Sequence, residues 1–229
     1  MKILASDFDD TMYFLDNPEL NKKNSEAINK FISHGNILCI ITGRNYTDLK
    51  LLLEENNIKY SYLICEDGAK IFNNMDYSLD TVNLDKEEIE KTVEVLDKLS
   101  CDYYLDDGYN ITNNYNDCVK IVVNCDNKEE QDKIVEKVKE KINIHVYASR
   151  THINIIHKTV NKKNALKKLL NLENLNYNLL HVIGDNDNDY EMLEAFNGAV
   201  VKKHHQKLDS LEKDEYETLS DYIEELMKN

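Results

Sequence analysis

The sequence predicts an α/β protein, an open parallel sheet interrupted by a smaller α+β block. Three observations carry that reading. Apolar runs of strand length, Ile3-Leu4-Ala5, Ile37-Leu38-Cys39-Ile40-Ile41, Tyr62-Leu63-Ile64-Cys65 and Leu179-Leu180-His181-Val182-Ile183, recur along the 229 residues. Segments with helical spacing separate most of them, which implies crossovers and parallel pairing. The polar signals Ser6-Asp7-Phe8-Asp9-Asp10-Thr11, Thr42-Gly43-Arg44 and Gly184-Asp185 stand directly after three of these strands. Ligands bind at that edge of an open α/β sheet.

Each element follows in turn. After the first strand, residues 25–34 have helical spacing, with Ile28, Phe31 and Ile32 on one face and Gly35 as the stop. The second strand ends in Thr42-Gly43-Arg44, and a helix carrying Leu49, Leu52 and Leu53 runs to about residue 55. After the third strand, Glu66-Asp67-Gly68 turns into a short hairpin arm, Ala69-Lys70-Ile71-Phe72. Near residue 80 the character changes. Asp85-Lys86-Glu87-Glu88 resembles a capping box, and its helix extends to about residue 99. Strands are expected at Tyr103-Tyr104-Leu105, Val119-Lys120-Ile121-Val122-Val123, 143–147 and 152–156, with a charged helix over 128–141. This helix-strand-strand-helix-strand-strand block is expected to be a separate domain, 79–158, between two parts of one core, 1–78 and 159–229. The first pattern then returns. Asn161 caps a helix, a buried strand ends in Gly184-Asp185, and Gly198-Ala199-Val200-Val201 is a last short strand before a terminal helix over 214–229.

Composition excludes several classes. The formal net charge of −15, with no basic cluster, disfavours nucleic acid and anionic membrane surfaces as partners. No apolar run approaches the length of a membrane span. Five scattered cysteines without a Cys-x-x-Cys pair suggest neither a disulfide framework nor zinc. Cys39, Cys65 and Cys118 lie in apolar runs and are expected to be buried thiols. Together with an N-terminus that reaches Asp7 too soon for a secretory signal, this points to the cytoplasm. The expected assembly is a monomer or homodimer.

Two features of the polar residues point to chemistry. Asp7 and Asp9 crowd one short turn, and a divalent cation such as Mg²⁺ would relieve their repulsion. Lys162 and Lys163 stand in the first turn of a helix, where the macrodipole favours acids. Local rules are most often broken at functional sites. Asp185-x-Asp187-x-Asp189 is not a calcium loop of the EF-hand type, because Tyr190 and Phe196 occupy the positions that need Gly and Glu.

Taken together, Asp7-Phe8-Asp9-Asp10-Thr11, Ile41-Thr42-Gly43-Arg44, the stretch from Asn161 to Leu166, and the stretch from Gly184 to Leu193 resemble the four motifs of the haloacid dehalogenase superfamily of phosphatases, in order. The likeness is greatest to its Cof-type branch, subclass IIB. The resemblance implies a Rossmann-like core with an inserted C2-type α+β cap. It implies a Mg²⁺-dependent phosphatase acting on a small phosphorylated metabolite, a sugar phosphate or similar, through an aspartyl-phosphate. Asp7 would be the nucleophile and Asp9 the acid and base. Thr42 and Lys162 would hold the phosphoryl oxygens, with Thr11, Gly43, Arg44 and Asn188 around the substrate. Asp7, the carbonyl of Asp9, Asp185 and, from the outer shell, Asp189 would hold the metal. Asp10 stands where the family usually has Gly, and Asp67-Gly68-Ala69 where the branch usually has Asn-Gly-Ala. Related readings are a phosphomutase, a phospho-acceptor signalling receiver, which is about half this length, and a binding protein without turnover. Arg150, one of only two arginines, is a candidate grip for the distal part of the substrate, because a planar guanidinium binds two oxygens at once.

Overall fold

The structure, a computed structural model, describes residues 1–149 and 151–228. Arg150 therefore lies outside the described residues. Among them are two sheets. The larger is built from β1 (Ile3–Asp7), β2 (Ile37–Ile41), β3 (Tyr62–Cys65), β4 (Lys70–Asn73), β5 (Ser78–Thr81), β11 (Leu180–Gly184), β12 (Gly198–Val201) and β13 (Asp214–Tyr216). Its order is β13-β12-β11-β1-β2-β3-β4-β5. The first six are parallel, and β4 and β5 add an antiparallel edge. β1 is central and every residue of it is buried, which is why its first part, Ile3-Leu4-Ala5, reads as an apolar run. Helices α1 (Pro18–Ser33), α2 (Tyr46–Glu55) and α7 (Leu219–Lys228) cover one face, with Phe31, Leu49 and Ile223 in one apolar cluster with Leu4 and Leu38. Helices α5 (Lys162–Leu172) and α6 (Tyr190–Ala195) cover the other, with Leu166 and Met192 against Ala5 and Ile41.

The smaller sheet is antiparallel. Its strands are β6 (Asp102–Asp106), β7 (Ile111–Thr112), β8 (Lys120–Asn124), β9 (His145–Ser149) and β10 (His152–Ile156), in the order β7-β6-β8-β10-β9. Strand alternation splits its faces. Ile121, Val123, Ile153 and Ile155 turn inward onto α3 (Lys86–Lys98) and α4 (Lys128–Lys141). Tyr104, Lys120, Val122 and Asn154 turn the other way and line a cleft against the large sheet.

Several elements differ from the sequence reading. α1 starts at Pro18 rather than residue 25, because Asn17 caps it and Pro occupies its first turn. Asp85 sits at the N-cap of α3 without a side-chain cap bond, so no capping box forms there. The terminal helix shrinks to α7, since Asp214–Tyr216 is recruited as a parallel edge strand beside β12. The short strand β7 had no legible signal. β5 spans the expected 78/79 boundary and pairs with β4 in the large sheet. Cys39, Cys65 and Cys118 are all buried free thiols.

Candidate active site

The carboxyl ends of β1, β2 and β11 lie side by side, because β1 sits between the other two. The signals after these strands therefore meet. Asp7 closes β1 and is 7 % exposed. Asp185 follows β11, and Asp189 enters from the turn that leads into α6. Ligand oxygens of Asp7, Asp185 and Asp189 all lie within 4.8 Å of one another, and all three residues are buried. Lys162 reaches them from the start of α5. Its Nζ donates to Asp7 Oδ1 at 2.5 Å and to Asp189 Oδ1 at 2.7 Å. The misfit of a lysine in a first turn is thus explained: the side chain is 1 % exposed and aimed at carboxylates. Lys163 faces outward, 3.6 Å from Glu191.

Asp189 is the organiser of this floor. While its Oδ1 takes Lys162, its Oδ2 accepts the backbone N–H groups of Asp185 and Asn186, at 3.1 and 3.0 Å. A β-carbon on Gly184 would stand 2.5 Å from Asp189 Cγ, so only glycine leaves room for that carboxylate. Thr11, expected beside the substrate, is fully buried and donates its hydroxyl to Asp185 Oδ1 at 2.8 Å. It orders the carboxylate cluster.

Three carboxylates face one ammonium here. Burial pushes the Asp7 carboxyl well above its usual range, against the pull of Lys162, and Asp189 and Asp185 add to the rise. Burial and Asp189 push Asp185 up to about 6. Burial would lower Lys162, but Asp189 and Asp7 outweigh it and hold the ammonium charged. The cluster is short of positive charge, and its donors are all hard carboxylate oxygens. It fits Mg²⁺, which prefers such oxygens.

Asp9 and Arg44 form a fork. Arg44 Nε donates to Asp9 Oδ2 at 2.8 Å and Nη2 to Oδ1 at 2.7 Å. Both oxygens of Asp9 are therefore engaged, and its carboxylate is separate from the cluster of Asp7, Asp185 and Asp189. Asp10 has a left-handed backbone, φ 60°, a conformation that glycine adopts without steric cost. Thr42 is 1 % exposed, and its Oγ1 accepts the Arg44 N–H at 3.1 Å.

A second buried charge cluster lies a few residues away, and the sequence reading missed it. Lys120, on β8 of the small sheet, crosses the cleft. Its Nζ is 2.7 Å from Glu66 Oε2 and 3.2 Å from Asp67 Oδ2, and it donates to the Gly43 carbonyl at 2.7 Å. Tyr147 on β9 donates its hydroxyl to Asp67 Oδ2, and Asn188 donates to Asp67 Oδ1 at 3.3 Å. Glu66 and Asp67 both have positive φ, 52° and 57°, at a cost of about 1–2 kcal/mol each. Burial raises Glu66 to about 7 against the pull of Lys120. For Asp67 burial also raises, but Lys120 and the Tyr147 hydroxyl lead a larger pull downward, and the carboxyl ends below its usual value. The available signal was a lysine inside an otherwise apolar strand, Val119-Lys120-Ile121-Val122-Val123.

Between the sheets lies a cavity of about 510 Å³. Asp7, Asp9, Thr42 and Arg44 form its floor, and Tyr104, Lys120, Tyr147, Ser149 and Asn154 its roof. A parallel α/β core with acids and a lysine at its carboxyl edge, roofed by an inserted antiparallel sheet, defines a class of capped hydrolases. The profile of the haloacid dehalogenase-like hydrolases matches residues 4–116 and 104–201. The chain belongs to that family. Its fold is shared with a haloacid dehalogenase-like hydrolase from Bacteroides thetaiotaomicron, at 16 % identity and a TM-score of 0.84, covering 98 % of this chain and 99 % of that one. It is also similar to a haloacid dehalogenase-like hydrolase from B. subtilis, at 17 % identity and a TM-score of 0.81, over 100 % and 99 %. A structure described as a sugar phosphatase of subclass IIB matches at 16 % identity and a TM-score of 0.78, over 100 % and 98 %. No curated protein matches the sequence. No helix among the described residues is long and apolar enough to cross a membrane.

Proposed function

We propose that the chain is a Mg²⁺-dependent phosphatase of small phosphorylated metabolites. One observation carries the reading: the convergence of Asp7, Asp185 and Asp189 on buried Lys162 at the floor of the cleft. Asp7 is the nucleophile. Its oxygen forms a bond to phosphorus as the ester P–O bond breaks, and the leaving oxygen takes a proton from Asp9. Water then attacks the aspartyl-phosphate, gives its proton to Asp9, and returns Asp7 with release of orthophosphate. Asp9 must leave the Arg44 fork to reach either oxygen, since both of its own are occupied there. Lys162 and the Thr42 hydroxyl hold phosphoryl oxygens. Asp7, Asp185 and the Asp9 carbonyl would hold Mg²⁺, with Asp189 in support. The ion would neutralise charge on the transferred group.

The roof supports a polyhydroxylated substrate. Tyr104, Ser149, Thr151, His152 and Asn154 offer hydroxyl, amide and imidazole groups to the cavity. The neighbour described as a sugar phosphatase points the same way. We place the first boundary of the inserted cap after Thr81, because β5 is paired into the core sheet. The test is orthophosphate release from a panel of sugar phosphates, nucleotides and p-nitrophenyl phosphate, with Mg²⁺ and after chelation. Release from sugar monophosphates only in Mg²⁺ is expected. Transfer of phosphate between two positions of one sugar, without release, would make the chain a mutase.

A further inference from the structure

We propose that Lys120 is a positioning residue through which the cap sets the geometry of the phosphate-binding loop, Thr42-Gly43-Arg44. The proposal rests on the phosphatase reading and adds a cap residue that does not touch the phosphoryl group. Two turns of the core are laced together beneath the cleft. The Asp67 N–H donates to the Thr42 carbonyl at 2.9 Å, and the Glu66 N–H to the Arg44 carbonyl at 3.0 Å. Lys120 spans both turns from the other sheet. It takes the Gly43 carbonyl on one side and the two carboxylates on the other, and it is 4 % exposed. Tyr147 and Asn188 complete the hold on Asp67.

The acids need this partner. Glu66 and Asp67 are 1 % and 3 % exposed, adjacent in sequence, and both in the left-handed backbone region. Two buried neighbouring carboxylates repel, and a strained backbone persists only where its surroundings over-determine it. When the cap lifts away, Lys120 and Tyr147 leave with it. The turn then loses the ammonium that pairs with both Glu66 and Asp67, and the Thr42–Arg44 loop loses the turn that braces it. Cap closure thereby completes the phosphate site as well as covering it. The acid at position 67 suits this role, since it adds the charge that Lys120 meets.

The single variant K120M leaves two acids buried without a cation and risks unfolding. The decisive protein is therefore E66Q/D67N/K120M, which removes the charge problem and the cap link together. Two readouts are taken on the full chain with Mg²⁺. Amide hydrogen exchange at residues 66 and 67 is expected to rise about 10-fold or more, with exchange at Asp185 unchanged. The kcat for p-nitrophenyl phosphate and for the best sugar phosphate is expected to fall about 10-fold, with a smaller change in KM. Y147F should move both readouts in the same direction by about 3-fold. Wild-type exchange at 66 and 67 in the triple variant overturns the proposal. So does full recovery of kcat, which would leave Lys120 as a counter-charge alone. A wild-type chain that releases no phosphate from any ester removes the phosphatase reading, and the exchange readout still decides whether Lys120 holds the loop.

Discussion

Among the described residues, two of the three buried lysines each form ion pairs with two acids, and the surroundings of those two differ. Lys162 binds Asp7 and Asp189 within the core, and a third acid, Asp185, stands beside them. Lys120 binds Glu66 and Asp67 across the cleft, and the remaining partners are the Tyr147 hydroxyl, the Asn188 amide and the Gly43 carbonyl. The first cluster carries two unmatched negative charges when ionised. The second carries one and is closed off by neutral groups. The same chemistry, a lysine between carboxylates, thus yields a place whose donors fit a divalent ion and a place that ties two sheets together. What separates them is the count of acids.

The largest difference between the two clusters is expected at Asp7. Asp7→Asn should reduce turnover by at least ~10³-fold, because it removes the proposed nucleophile, while thermal melting shows the fold intact. Without metal the variant should melt higher than wild type, since one member of a repulsive cluster is gone. Substantial phosphatase activity in this variant would take the nucleophile's role from Asp7.

Next in size is Lys162→Ala, expected to lower kcat by about 10²-fold or more. Its neighbour Lys163→Ala should change kcat by less than about 3-fold, because that side chain faces Glu191 and solvent. Steady-state kinetics on both variants distinguishes the two registers, and equal losses would mean that the helix presents both lysines to the site.

Metal sharpens the contrast between the clusters. Mg²⁺ should raise the melting temperature of wild type by several degrees at saturating concentration, and exhaustive chelation should abolish activity. D185N should lose most of that thermal shift, whereas E66Q should keep it. A Mg²⁺ shift that survives D185N would place the ion elsewhere.

The smallest effect concerns pH. Glu66 is raised in the folded state from 4.5 to about 7, so folding favours its protonated form. Its contribution to stability is present below about 4.5 and is lost as pH rises through about 7. E66Q removes that loss. Relative to wild type, the variant should gain in melting temperature between pH 5 and pH 8, and a constant difference across that range would contradict the raised Glu66. Asp185, raised to about 6, gives the same sign between about 4 and 6 in metal-free protein, and Mg²⁺ should cancel it.

Much of this was legible in the residue order. β1, β2, β3 and β11 are buried on both faces, so each reads as an apolar run with a polar signal at its end. Asn161 and Lys162 were legible through opposite cues, one obeying the rule for helix starts and one breaking it. The role of Thr11 was less so, because a threonine hydroxyl serves a substrate or a neighbouring carboxylate equally well, and only the fold brings Asp185 to within 2.8 Å. β13 was hidden because an exposed edge strand, Asp214-Glu215-Tyr216, carries no apolar pattern and owes its form to β12.

By itself, the sequence determined the layers of the molecule and the members of the acid cluster, because strand burial and helix capping act over a few residues and leave local patterns. The tertiary structure alone decided the partnership of Lys120 with Glu66 and Asp67. Lys120 is more than fifty positions from both acids, and although its place in an apolar strand marks it as unusual, nothing near it in the chain names its partners. The pairing exists because the antiparallel sheet turns its polar face onto the core, and a charge leaving water there must find its counter-charge across the cleft.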